Sequence, residues 1–307
     1  MYLNKKNTKL YINKLDLVCV KILIMKEHDF IQIIKDMTKS PFLGDDCAYL
    51  KDLGIVVTQD NFIENIHFKT DWASPYQIGY KSAVVNISDV LASGAKPAYI
   101  SVGLSLPNVD NDFVKELYRG IIAGSYGAEV IGGDITGAEK ISISITAIGK
   151  VENRKISSRS HAKVGYKVIS NATFGKSSKG LLELQEGKKE SEFIKEHLEP
   201  KLDVSFSEQI STQIKEDYAM MDTSDGLADA LFQIAKASNV KIVTPKIEGM
   251  FGAEDYNLVA VVPKEFLKNL DNYNIIGEVK EFDGIYLKID EQNYKEHDDL
   301  KLFNHFN

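Results

Sequence analysis

The segment K-S-A-V-V-N-I-S-D-V-L-A-S, residues 81–93, sets the tightest limit on the fold. It belongs to a stretch, 74–93, that reads as a helix. Ser74 suits the cap, Pro75 the first turn and Gly94 the position just beyond the end. Asp89 sits inside this otherwise apolar helix, three residues after Asn86 and therefore on the same face. A carboxylate on an apolar helix face must pair or bind a cation.

Other acids repeat the theme at the ends of elements. Asp60 follows the apolar strand I-V-V-T-Q, Asp134 follows V-I-G-G, and Asp222 follows A-M-M, with Asp225 three residues later at the head of a helix. Asp45 and Asp46 follow Gly44, shortly before A-Y-L. Taken singly, each has an ordinary explanation: Ser224 or Asp225 as a helix cap, Asp134 as a turn residue. As a set, carboxylates and hydroxyls at strand ends, with glycines allowing close approach, suit hard cations and phosphates. Mg²⁺ takes oxygen ligands and is commonly shared between carboxylates and substrate phosphates. No G-x-x-x-x-G-K pattern and no H-R-D or D-F-G is present, so phosphates would have to be held mainly through metal ions.

Composition narrows the partners. A formal net charge of −7 disfavours nucleic acid, which needs a basic face. Two cysteines, Cys19 and Cys47, are too few for a disulfide framework, and no C-x-x-C exists; a reducing, cytoplasmic setting fits. The apolar run 15–25 is interrupted by Asp16 and Lys21 and is far shorter than the roughly 20 residues that span a bilayer. No membrane association is expected. Residues 1–24 read as an extension outside the fold, with Met25 a plausible start.

Further elements are expected as follows: strands at 98–105, 141–151, 219–222, near 256–263, 274–279 and 285–289, and helices at 110–126, 176–187, 205–216, 224–238 and 263–271. E-V-I-G-G-D-I-T reads as a short strand and a glycine turn, and Y-K-V-I-S-N-A-T-F-G as a strand and turn. The stretch 153–165 reads as a linker. The fold class is therefore α+β in two halves, 25–152 and 153–307.

Six motifs in one order carry a resemblance: G-D-D-C-A-Y-L (44–50), T-Q-D-N-F-I-E-N-I-H-F (58–68), K-S-A-V-V-N-I-S-D-V-L-A-S-G-A-K-P (81–97), I-G-G-D-I-T (131–136), M-D-T-S-D-G-L (221–227) and G-A-E-D-Y (252–256). Together they resemble the thiamine-monophosphate kinases, within the aminoimidazole ribonucleotide synthetase superfamily. The resemblance runs from about residue 25 to the end. It implies a two-domain fold. An N-terminal α/β domain dimerises through its sheet and binds ATP and Mg²⁺. A C-terminal α+β domain completes the phosphate and substrate site. It implies direct transfer of the ATP γ-phosphoryl to thiamine monophosphate, without a general base, in a homodimer.

Matched residue by residue, the resemblance implies metal ligands at Asp46, Thr58, Gln59, Asp60, Asp89, Asp134, Asp222 and Asp225. It places ATP against Tyr118, Gly133, Asp134, Arg159 and Ser224, and the thiamine phosphate against His67, Glu254 and Phe303. The sequence departs from the family at Gln59, where a second hydroxyl is usual, at a short loop before G-A-E-D-Y, and at Lys176 within G-K-S-S-K-G-L. Gln59 offers either an amide carbonyl on a longer arm or only its backbone carbonyl. The alternatives are another ATP-dependent synthetase of the superfamily and a non-catalytic nucleotide- or metal-binding regulator.

Overall fold

The computed structural model describes residues 27–302. The extension 1–24, Met25, Cys19 and Phe303 lie outside the described residues. The chain divides into two units, of which the first comprises residues 1–39 and 304–307 and the second Ser40–Phe303. Helix α1 (Glu27–Thr38) belongs to the first and matches the amphipathic stretch that follows Met25.

In the second unit, the first half builds a five-stranded sheet from β1 (Ala48–Leu50), β2 (Ile55–Ile63), β3 (Lys96–Leu106), β4 (Glu129–Gly137) and β5 (Ser142–Lys150). The order is β1-β2-β5-β3-β4. Helices α2 (Pro75–Ala92) and α3 (Asn111–Gly124) intervene in the chain. Strand β5 alternates as its sequence demands: Ile143, Ile145 and Ala147 are buried against α2, while the intervening residues are half-exposed. Ser74 caps α2 with a reciprocal capping box to Gln77.

The second half builds a seven-stranded sheet. Its elements are β6 (Lys167–Ser170), α4 (Lys176–Gln185), α5 (Glu192–Leu198), α6 (Val204–Gln213), β7 (Ala219–Asp222), α7 (Leu227–Ser238), β8 (Lys241–Thr244), β9 (Leu258–Val262), β10 (Asn274–Lys280), β11 (Leu287–Ile289) and β12 (Gln292–Tyr294). The strand order is β12-β11-β8-β10-β6-β9-β7, so β7 lies at an edge, with Asp222 its last residue, still paired with Leu258 of β9.

Four expectations are corrected or refined. I-G-G-D-I-T is no turn but part of the nine-residue strand β4, parallel to β3. Gly133 makes this possible, because a Cβ there would lie 1.8 Å from the Val102 carbonyl oxygen. The helix expected at 263–271 is a 3-10 segment, Lys264–Asn269. The stretch 153–165 is packed rather than open: Ser157 Oγ donates to Ala92 O at 2.7 Å and Lys155 N to Ser211 O at 2.7 Å. Strands β1, β8 and β12 and helix α5, each three to seven residues long, went unread. The chain changes sheet between β5 and β6, yet one apolar core runs from Ile87 and Ile145 to Ile210 and Met220.

Helices α2 and α3 approach almost backbone to backbone. A Cβ on Gly79 would meet Leu117 O at 2.0 Å, and one on Gly120 would meet Tyr76 O at 1.9 Å. Gly120→Ala therefore pushes the helices apart, and we expect a loss of about 2–3 kcal/mol. The urea midpoint checks it; an unchanged midpoint would mean the pair separates without cost.

Candidate active site

The acids converge because three elements end or pass at one place. Strand alternation sends the side chains of Thr58 and Asp60 to one face of β2 and Gln59 to the other. On the first face, Thr58 Oγ1 donates to Asp89 Oδ2 at 2.7 Å, and the Asp60 N–H donates to Asn86 Oδ1 at 2.9 Å. Asn86 is itself fixed by donating to Ser82 O at 3.1 Å. From the same helix, Ser88 Oγ donates to Asp222 Oδ2 at 2.6 Å, and Ser224 Oγ reaches Asp222 Oδ1 at 3.2 Å. Carboxylate oxygens of Asp46, Asp89 and Asp222 all lie within 4.8 Å of one another.

One guanidinium answers these three carboxylates. Arg159 Nη2 lies 2.6 Å from Asp46 Oδ1, and the Arg159 N–H donates to Asp45 Oδ1 at 2.8 Å. Arg159 stands on a single 3-10 turn, Arg159–His161, inside the stretch read as a linker. Its carbonyl accepts from Ser238 Oγ at 2.7 Å.

The charge is unbalanced, and the acids respond. Burial pushes Asp89 well above the usual carboxylate range, and Asp222, Asp60 and Asp46 push it further. Burial, then the charge of Asp46, raises Asp222 to about 7. Burial raises Asp46 as well, against the pull of Arg159. Buried carboxylates short of counter-charge are costly, and oxygen donors crowded in this way fit a hard divalent cation. The donor set therefore suits Mg²⁺.

A stability prediction follows from the sign of these shifts. A folded-state pKa above the unfolded value contributes stability that is full below the unfolded pKa and lost as pH rises through the folded one. The metal-free protein should therefore melt at progressively lower temperature from pH 5 to pH 7, with the loss levelling off above about 7, where Asp222 is ionised in the folded state as well. Millimolar Mg²⁺ should flatten the dependence. Thermal melts with and without the ion test this; equal melting temperatures across that range in chelator would contradict it.

The remaining expected residues divide. Asp225 is exposed and Ser224 half-buried, both on the loop between β7 and α7. Gly133 and Asp134 are exposed on β4. The sheet register runs Asp60–Ile145–Val102–Gly133, three strand spacings or about 14 Å along the sheet. Asp134 thus stands apart from the Asp46–Asp89–Asp222 cluster within one chain. Tyr118 is half-buried on α3 against the core. The Gln59 side chain does not join the cluster; its Oε1 accepts from Thr146 Oγ1 at 2.9 Å on the opposite face.

On the other side, the G-A-E-D-Y loop is tied to the acid loop, since the Glu254 N–H donates to Ser224 O at 2.6 Å. Glu254 and Tyr256 both have left-handed backbones, φ 62° and 53°, a strain that tends to collect at working sites. His67 Nδ1 accepts from the Ile63 N–H at 3.0 Å, so in the neutral ring Nε2 carries the proton. Its ring stacks on Phe62 with centroids 5.6 Å apart. Lys176 pairs with Glu192 at 3.6 Å. Two buried residues here, Lys81 and His197, were missed in the sequence; the one signal was a lysine on an otherwise apolar helix.

Comparison with known proteins identifies the relatives of this chain. Residues 44–151 match the family described as AIR synthase related protein, N-terminal domain. The fold thus places the chain in the AIR synthase-related class. A thiamine-monophosphate kinase of Aquifex aeolicus is 30% identical over 303 residues, 88% of this chain and 97% of the relative. One from Bacillus subtilis is 34% identical over 254 residues, 73% and 78% of the two chains. A solved structure of AaThiL complexed with AMPPCP and TMP superposes with a TM-score of 0.81 at 30% identity, covering 91% of this chain and 97% of that one. The chain belongs to the thiamine-monophosphate kinase family.

Proposed function

We propose that this chain transfers the γ-phosphoryl group of ATP to the phosphate of thiamine monophosphate, yielding thiamine diphosphate and ADP. The observation that carries the reading is the packing of Asp46, Asp89 and Asp222 within 4.8 Å around a single arginine. Two phosphate-bearing substrates repel each other, and divalent ions held by these acids neutralise that charge when bound. Thr58 and Asn86 orient Asp89 and β2, while Ser88 orients Asp222. Asp60 and Asp225 extend the ligand set. Gln59 contributes at most a backbone carbonyl.

Arg159 would hold a phosphate oxygen of the nucleotide, since a guanidinium can grip oxygens bidentately, and Asp46 beside it would serve a bound cation. Ser224, Gly133, Asp134 and Tyr118 hold the nucleotide; the last three stand on β4 and α3, so ATP spans the gap along the sheet. Two copies pair through the N-terminal sheet into a homodimer, and residues 25–152 and 153–307 act as nucleotide and substrate halves. His67 and Glu254 receive the acceptor, with Phe303 beyond them in sequence. The attacking group is a phosphate oxygen already deprotonated at neutral pH, so no side chain is needed to remove a proton. The work of the chain is positioning and charge placement. Among the described residues no helix is long and apolar enough to cross a membrane, and we place the enzyme in the cytoplasm.

Purified protein with ATP, Mg²⁺ and thiamine monophosphate should form thiamine diphosphate, read by chromatography. Intact ATP binding with no diphosphate formed would refute the reading.

A further inference from the structure

We propose that Lys81 is a positioning residue for the acceptor, holding the Glu254 carboxylate in the one orientation that meets the substrate. The inference rests on the reading of Glu254 as an acceptor contact. Glu254 belongs to a loop with a left-handed backbone, and a glutamate on a loop is otherwise free to sample several rotamers. Here one of its oxygens is held closely from another element, and the second faces a buried imidazole. Lys81 of α2, only 3% exposed, places Nζ 3.2 Å from Oε1. His197 of α5, also buried, places Nδ1 3.7 Å from Oε2 and 3.0 Å from Ser177 Oγ at the start of α4. His67 also faces Glu254, and Asp255 acts on Lys81 from the next position along the loop.

Burying a lysine is costly, and beyond Glu254 its Nζ has no hydrogen-bond acceptor among the described residues. A neutral residue would fold at lower cost, so the charge has its use at Glu254. Lys81 also lines the small cavity walled by Phe62, His67, Trp72 and His197. Two turns further along the same helix face, about 10 Å away, Ser88 donates to Asp222. Helix α2 therefore sets the distance between the acceptor-side carboxylate and the acid cluster, from one rigid element.

Lys81→Met keeps the stem and removes the charge. We expect the KM for thiamine monophosphate to rise about tenfold or more, with the KM for ATP within about twofold of wild type. Glu254→Gln should do the same, and the double variant should be no worse than Glu254→Gln alone. An unchanged acceptor KM in folded Lys81→Met, costs that multiply in the double variant, or parallel rises in both KM values would overturn the assignment. Should Lys81→Met not fold, the double variant, which buries neither charge, is compared with Glu254→Gln; a further tenfold rise in acceptor KM overturns it equally. Wild-type protein inert toward thiamine monophosphate would sink the proposed function and this inference together. An active wild type with an unaffected Lys81→Met sinks this inference alone.

Discussion

Asp222→Asn lowers kcat by about 10³-fold or more, roughly 4 kcal/mol of transition-state stabilisation. The side chain is buried, sits within 4.8 Å of two other carboxylates and is oriented by Ser88 and Ser224. An amide of the same shape keeps the packing and removes the charge that a divalent ion requires. Stability should move the other way. At pH 8 the native carboxylate is ionised beside Asp46, and the amide relieves that repulsion. The metal-free variant should therefore melt at the same temperature as wild type or higher. Loss of turnover together with a retained melt separates a ligand from a structural residue. A variant retaining a tenth of wild-type kcat would remove Asp222 from the metal ligands.

Arg159→Met acts on both stability and turnover. It leaves Asp46, whose side chain is only 5% exposed, without its one guanidinium. Breaking a buried pair by removing one partner leaves an uncompensated charge, and we expect a loss of roughly 3 kcal/mol in metal-free protein. Lowering the pH should recover part of this, because protonating Asp46 removes the unpaired charge; Mg²⁺ should recover part as well. The KM for ATP should rise by at least tenfold, since a charged hydrogen bond to phosphate contributes about 1.5–3 kcal/mol. Denaturant melts in chelator and in Mg²⁺, alongside ATP kinetics, provide the readout. If melting is equally impaired with and without the ion, the arginine serves the fold rather than the phosphates.

The acids were legible because a carboxylate next to an apolar run is locally anomalous. Asp89 within its helix and Asp222 after A-M-M stand out with no knowledge of the tertiary structure. Arg159 was legible only through the motif order, since its surroundings read as a solvated linker. Lys81 carried one local signal, a lysine within an apolar stretch of helix, but its partner Glu254 lies far along the chain; His197 carried none, because no periodicity links it to Ser177. The same limit applies to the fold. Strands of three or four residues such as β8 and β12 carry too few alternations to register. Strand β4 was misread at its glycines, which sequence treats as punctuation and the structure uses for close contact with Val102. Strand alternation also settled which way Gln59 faces, a question its residue type alone left open.

The apolar core that runs beneath both sheets has a thermodynamic consequence. Ile145 of the first sheet and Met220 of the second share one buried cluster, so the first half cannot expose its apolar face without also exposing one face of the second sheet, whose other face packs a core of its own around Phe232 and Val261. Residues 40–302 should then melt as one cooperative transition, and an ion or nucleotide bound among the acids raises the midpoint of the whole unit by mass action. Ligand occupancy and global foldedness are in that sense a single linked equilibrium.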